Sequence, residues 1–269
     1  MLKGVQQKLG IFLWFGYRIP VPERIRMIRE TGFETILHWW DDSFAEIEGF
    51  SKEEQVALIR NEGLTVENAH LQADRVNDLW LDTQDGQTAL DEYIRDIDSL
   101  AEQEIPVAVL HPSSGKEPPP VSAIGMKRFR LLVEKAEKRG VRLALENVRN
   151  THILTKILDT IDSPMLGFCY DSGHDFIWSG KPYELMERYK SRLFAVHLHD
   201  NMGYADDHLA PGKGNINWDI VRKGIENSIY TGSYTLESDS AEIPRSRSPQ
   251  EHLKMHFDGA KAMLLQAQR

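Results

Sequence analysis

The chain has 269 residues, 41% hydrophobic and 27% charged, with a formal net charge of −9 at pH 7. This composition is that of an ordinary globular protein and excludes collagen-like, coiled-coil and disordered chains. The acidic balance disfavours a broad nucleic-acid surface, no apolar run is long enough to cross a bilayer, and a lone cysteine, Cys169, rules out a disulfide framework within the chain and sets a cytoplasmic location as the expectation.

The first stretch, MLKGVQQKLGIFLWFG, turns from a lysine-bearing segment to an apolar one with no small-residue cleavage site after it, so no signal peptide is expected. Its second half, 9–16, reads as a strand. A helix opens at Pro22, where the missing N–H costs nothing, carries Ile25 and Ile28 at helical spacing, and stops at Gly32. After a strand at 33–39, Ser51 and Glu54 form the two halves of a capping box for a helix that ends at Gly63. Strands at 64–70 and 105–112 bracket a helix over 86–103, and SSGKEPPP (113–120) reads as a rigid loop. A helix over 121–139 stops at Gly140. Strands at 141–148, 165–171, 193–200 and 234–239 then alternate with helical patterns at 153–161, 182–190, 217–227 and from about Pro249. Eight such units demand a parallel sheet, and within this length they fit one (β/α)8 TIM barrel spanning 1–269 as a single domain better than a doubly wound sheet.

Active sites of such barrels form at the C-terminal ends of the strands. Here those ends carry His70, His111, Glu146, Asp171 with His174 just beyond, His197 and His199, Asp206 and His208 in the next loop, and Glu237. A lone strand-end histidine is more often a hydrogen-bonded structural residue than a ligand. Six of the ten histidines on one rim, among several carboxylates, are a different matter. Crowded buried carboxylates repel and raise one another's pKa, and a divalent cation relieves both costs. Imidazole with carboxylate suits Zn, Mn, Fe or Co better than Ca. Glu146, Asp171, Asp206 and Glu237 supply four negative charges: two divalent ions neutralise them, and three leave an excess that favours an anionic substrate or a bound hydroxide.

LALEN (143–147), CYDSGHDFIWSG (169–180), VHLHDN (196–201) with DDHLAPGKGNINW (206–218), and YTLES (234–238) together make the chain resemble the xylose isomerase-like barrel superfamily over nearly its whole length. That group holds sugar isomerases and epimerases, inositol-catabolism enzymes and endonuclease IV-like AP endonucleases. The resemblance implies a four-ligand metal site at Glu146, Asp171, His197 and Glu237, with Zn or Mn as the cofactor. His197 is preferred to His199 because it stands three residues before Asp200. His70, His111, His174, Asp206 and His208 match the extra ligands of the endonuclease-like members, so the resemblance implies one to three ions. Two departures point away from DNA: Leu71, Gln72 and Ala73 follow His70 where repair members carry a tyrosine wedge, and Asp41 and Asp42 stand where those members carry a basic residue.

The implied activity is isomerisation or epimerisation of a sugar, sugar phosphate or sugar acid, with Glu146 and Glu237 as the acid–base pair on opposite faces of the substrate. His174, His199, Trp14, Trp39 and Lys213 are the candidate substrate contacts, and Trp40 and Trp178 are further candidate aromatic walls. The Gly-rich turn 211–218 offers backbone amides for a phosphate or carboxylate, with a plain turn as the alternative. Asp200 is the candidate to orient His197 or His199. The rival readings are multi-zinc phosphoester hydrolysis, a dehydratase sharing the enolate step, and a barrel that binds a sugar acid without turnover. A small carbohydrate is the expected partner, with nucleic acid disfavoured, no membrane, and the oligomeric state, homo-oligomer included, left open.

Overall fold

Short β-branched and aromatic runs that are apolar on both faces pair in parallel, and the amphipathic stretches between them cover the outside. The computed structural model describes residues 7–43, 45–238 and 247–265. The first six residues of the N-terminal stretch, Asp239 at the end of the last predicted strand, and the four C-terminal residues lie outside the described residues. In chain order the first half holds β1 (Leu9–Phe12), α1 (Val21–Thr31), β2 (Thr35–Trp40), α2 (Ala45–Glu48), α3 (Lys52–Asn61), β3 (Thr65–Leu71), a 3-10 turn (Val76–Trp80), α4 (Gln84–Glu102) and β4 (Val107–Leu110). The second half holds α5 (Ala123–Arg139), β5 (Arg142–Glu146), α6 (Thr151–Thr160), β6 (Leu166–Asp171), α7 (Ser172–Trp178), α8 (Glu184–Tyr189), β7 (Leu193–His197), α9 (Trp218–Glu226), β8 (Tyr234–Leu236) and α10 (Pro249–Leu264).

The sheet runs β7-β6-β5-β4-β3-β2-β1-β8 with every pair parallel. Beyond the last ladder bonds of β7, Leu198 N donates to Thr235 O at 2.9 Å and accepts at its carbonyl from Glu237 N at 3.1 Å, which joins β7 to β8 and closes the barrel. This is the (β/α)8 TIM barrel expected from the alternating pattern. Most of the buried apolar side chains lie between strands and helices, while a small inner set (Val107, Val109, Ala144, Cys169, Phe194, Ala195) fills the barrel. Side chains alternate along a strand. Ala144 and Glu146, Cys169 and Asp171, and Ala195 and His197 therefore share the inward face, apolar below and polar at the mouth.

Several strands are shorter than their apolar runs. The first predicted strand leaves the ladder after Phe12, and the seventh after His197. Beyond Phe12 one further bond reaches β2, from Leu13 N to Leu37 O at 2.9 Å, and beyond His197 the backbone turns at Leu198 to β8 and then to its own loop, where Asp200 N donates to Leu209 O at 2.7 Å. The sequence pattern also does not foresee α7. Its N-cap is Asp171, whose side chain accepts from His174 N at 2.6 Å. The helix predicted over 182–190 is the shorter α8, entered through Tyr183 in the left-handed region.

Candidate metal centre

Glu146 ends β5, Asp171 ends β6, His197 ends β7, and Glu237 follows β8 by one residue. Closure of the barrel brings one ligand atom from each to within 4.8 Å of the others. Glu146 is the hub. Its Oε2 lies 3.1 Å from His197 Nδ1, 3.2 Å from His70 Nε2 and 3.6 Å from His111 Nε2, and its Oε1 lies 2.9 Å from His174 Nδ1. Glu237 Oε2 lies 3.4 Å from His197 Nδ1. Yet Glu146 Oε1, Glu237 Oε2 and His174 Nδ1, all buried, carry no hydrogen bond. Donor atoms that crowd together without hydrogen-bonding angles, at this degree of burial, fit a shared cation better than a network of mutual hydrogen bonds.

Two further groups flank this one. His70, His111 and Glu146 form a triad with ligand atoms within 4.8 Å. On the other side Asp206 Oδ2 lies 3.1 Å from His174 Nε2 and 3.4 Å from His208 Nε2. His199, considered above as a substrate contact, has its Nε2 3.1 Å from both oxygens of Asp171 and stacks on His208 with ring centroids 4.0 Å apart. That close approach depends on Gly173 in the first turn of α7: a Cβ there would sit 1.9 Å from His199 Cε1. His208 occupies the left-handed region (φ 47°), and its Nδ1 is bonded to Glu237 O at 2.9 Å.

Electrostatics follow from the crowding. Burial alone would raise Glu146, but the imidazoles of His111 and His197 hold its carboxyl well below the usual range. Burial likewise opposes, and His197 overrides, for Glu237, which is also held low. Asp206 is held low against its burial by His174 and His208. Burial disfavours the charged imidazoles, yet Asp171, Asp206 and Glu146 raise His174 well above 6.5, and His208 rises to about 9 through Asp206 and Glu237. Cys169, next to His197 inside the barrel, is pushed up to about 12 by burial and is a neutral thiol at pH 7. The cluster thus balances its carboxylates with imidazole protons, which a divalent cation would displace.

The other sequence candidates divide. Trp39 stacks on His70 at 4.9 Å, and Trp178 on His174 at 4.6 Å, so both wall the cluster. Trp14 lies under the Arg24 guanidinium at 4.9 Å, and that guanidinium is itself bonded to Ile19 O and Glu48. This ties Trp14 to α1. Trp40 faces away from the mouth: strand alternation puts it opposite Trp39, beneath Lys52 at 5.4 Å. Lys213 is exposed, with no hydrogen bond or ion pair to the cluster among the described residues.

Of the two readings of the glycine-rich turn, the geometry favours the plain turn. Gly212 N and Ile216 N donate to Asp200 at 2.9 and 3.1 Å, and Asn215 N donates to Asn201 O at 2.9 Å, so the glycine turn's amides are consumed internally. Asp200 therefore does not orient a histidine. It accepts from Asn201 N, Gly212 N, Ile216 N and Trp218 Nε1, and it ties the loop down.

Sequence reasoning passed over Asn147, whose Nδ2 donates to Asp171 O while its Oδ1 accepts from Asp171 N, both at 2.8 Å. It also passed over Asn68, bonded to His197, and Arg149, whose guanidinium lies 5.0 Å over Trp178. For Asn147 the signal was its place at the end of the LALEN run, and for Asn68 it was only a polar amide inside a strand run.

A family model described as xylose isomerase-like TIM barrel matches residues 25–257. Among curated proteins, the uncharacterized protein MJ1311 of Methanocaldococcus jannaschii is 35% identical over 164 residues, 55% of this chain and 56% of that protein. An inosose dehydratase of Bacillus thuringiensis is 25% identical over 127 residues, 39% of this chain and 42% of that protein. The chain thus spans between about a third and just over half the length of the curated relatives it matches. Among solved structures, the IolI protein with a bound zinc atom superposes with a TM-score of 0.79 at 15% identity, covering 96% of this chain and 98% of that one. A D-tagatose 3-epimerase-like protein superposes at 0.76 and 22% identity, covering 96% and 97%. At such identities these likenesses concern the fold.

Proposed function

This chain belongs to the xylose isomerase-like TIM barrel family, and on that premise we propose that it is a divalent-metal-dependent enzyme that moves a proton next to the carbonyl of a small polyhydroxy compound. The observation that carries this is the pairing of Glu146 and Glu237 across one imidazole, 3.1 and 3.4 Å from His197 Nδ1, each with a buried oxygen that has no hydrogen bond. Glu146, Asp171, His197 and Glu237 would hold the cation, and the mixed N/O set suits Zn or Mn. When bound, such a cation polarises the substrate carbonyl and stabilises the negative charge that develops on oxygen.

The chain's own groups do the rest. Each glutamate has two oxygens, so one can bind while the other holds or moves a proton. Glu146 on β5 and Glu237 after β8 approach from different sides, so one removes the proton from carbon and the other returns one to the opposite face. Trp39 and Trp178 wall the mouth and offer ring faces to C–H groups. Proteins similar to this chain are named as inosose dehydratases and 3-epimerases, and both reaction types can begin with this proton removal and differ in the second step. An epimerase reprotonates, whereas a dehydratase expels a neighbouring hydroxyl. The test is hydrogen exchange of a panel of ketoses and inososes in D2O with Zn2+ or Mn2+, monitored by NMR. Exchange at the carbon beside the carbonyl, lost in Glu237→Gln, is the expected result. No exchange across the panel would overturn the reading.

The group of His174, Asp206 and His208 favours a second reading, hydrolysis of phosphoesters by clustered ions. Three ions per chain together with release of inorganic phosphate from model monoesters, or of the alcohol or phenol from model diesters, would select it.

A further inference from the structure

Asn68 stands in β3 with 1% exposure, on the same strand face as His70. Its side chain crosses the barrel interior to β7, a strand that is not its neighbour, and its Oδ1 lies 3.3 Å from Nε2 of His197. Its Nδ2 is buried with no hydrogen-bond partner. A buried amide with unpaired donors destabilises a fold, and an aliphatic side chain would pack there without that defect. Packing therefore does not explain an asparagine at this position, but His197 does. In a neutral imidazole, the hydrogen bond made at one nitrogen decides which nitrogen keeps the proton. With Oδ1 accepting from Nε2–H, the lone pair of Nδ1 is left facing Glu146 Oε2 at 3.1 Å and Glu237 Oε2 at 3.4 Å.

We propose that Asn68 is a positioning residue: it holds His197 in the Nε2–H tautomer and so reserves Nδ1 for a divalent cation. This rests on the metal reading above, and on the cross-barrel contact in addition. The reverse pairing, with the Asn68 amide donating to Nε2, would put the ring proton on Nδ1 and close that nitrogen to a metal. Aspartate at this position can only accept, so it separates the two arrangements.

The test uses the full chain stripped of metal. Zn2+ affinity is measured by competition with a chromophoric chelator, and the His197 tautomer is read from ring 15N shifts. Asn68→Ala is expected to weaken Zn2+ binding about 10- to 100-fold and to mix the tautomers. Asn68→Asp is expected to keep both the affinity and the Nε2–H form, and Asn68→Leu, which fills the volume and removes the unpaired donors, to fold well and bind as weakly as Asn68→Ala. Affinity and tautomer unchanged in Asn68→Ala and Asn68→Leu would overturn the inference while leaving the metal reading intact. So would an Asn68→Asp variant that loses as much as Asn68→Ala. A wild-type chain that binds no divalent ion would overturn both.

Discussion

At the scale of single residues, the cluster is a set of groups each unfavourable alone. Glu146 is 1% exposed and Asp171 and His197 are fully buried, a placement that destabilises a barrel interior unless charge meets charge. Glu146→Gln and Glu237→Gln keep shape and remove charge, and each is expected to lower the proton-exchange rate about 10²- to 10⁴-fold with secondary structure unchanged by circular dichroism. Gly173→Ala adds a methyl that meets the His199 ring. That ring should be displaced from Asp171, with a loss of about 1–3 kcal/mol in urea unfolding; a variant as stable as the wild type would show that the contact relaxes freely. Most rim residues were legible in the sequence because they stand at the end of an apolar run, with His174, Asp206 and His208 in the segments just beyond one. Asn68 was not, because its partner lies on a strand 129 residues away that only closure of the barrel brings opposite.

Between residues and the whole lie the strands and loops. Period-two alternation separates Trp39, at the mouth, from Trp40 and His38, which face the helices; that rule was available from the sequence and would have removed Trp40 from the candidate walls. His38 Nε2 meets Lys52 O at 3.0 Å at the start of α3, and burial pushes its pKa down to about 4 against that hydrogen bond. A histidine whose folded pKa is depressed contributes stability above its unfolded value, and loses it as the pH falls from about 6.5 towards 4. His38→Gln removes this titration, so the stability gap between wild type and variant should narrow by up to about 3 kcal/mol between pH 7 and pH 4. A gap that stays constant with pH would contradict this. The loop after β7 shows why some roles could not be read in advance. The glycines of 211–218 look like an anion cradle in the sequence, but four N–H donors converge on Asp200. Asp200→Ala strands those donors and is expected to cost about 3–5 kcal/mol in unfolding free energy, and Asp200→Asn, with one acceptor oxygen in place of two, nearly as much. In the same way α7 was invisible to periodicity, because its start is set by Asp171 capping its own next turn.

On the scale of the whole molecule, six of the eight short strands, β3 round to β8, and the loops after them supply the candidate ligands, so the site exists only in the closed barrel. On the proposed metal reading, cation binding and folding are therefore linked. At a free metal concentration 100 times its Kd, a cation bound only to the folded chain adds about 2.7 kcal/mol. Removing it with a chelator is expected to lower Tm by roughly 5–10 °C for a chain of this size, and an unchanged Tm would contradict the linkage. The barrel itself was legible from the alternation of apolar runs and amphipathic stretches, whereas the strand ends were not, since they depend on where each chain segment leaves the ladder. The most direct test counts ions per chain by elemental analysis after dialysis against buffered Zn2+ or Mn2+, in the wild type and in the Glu146→Gln/Glu237→Gln double variant. At least one tightly held ion per wild-type chain, lost in the double variant, is the expected result. A wild type that retains none, or a double variant that retains as many, would show that these side chains do not share a cation.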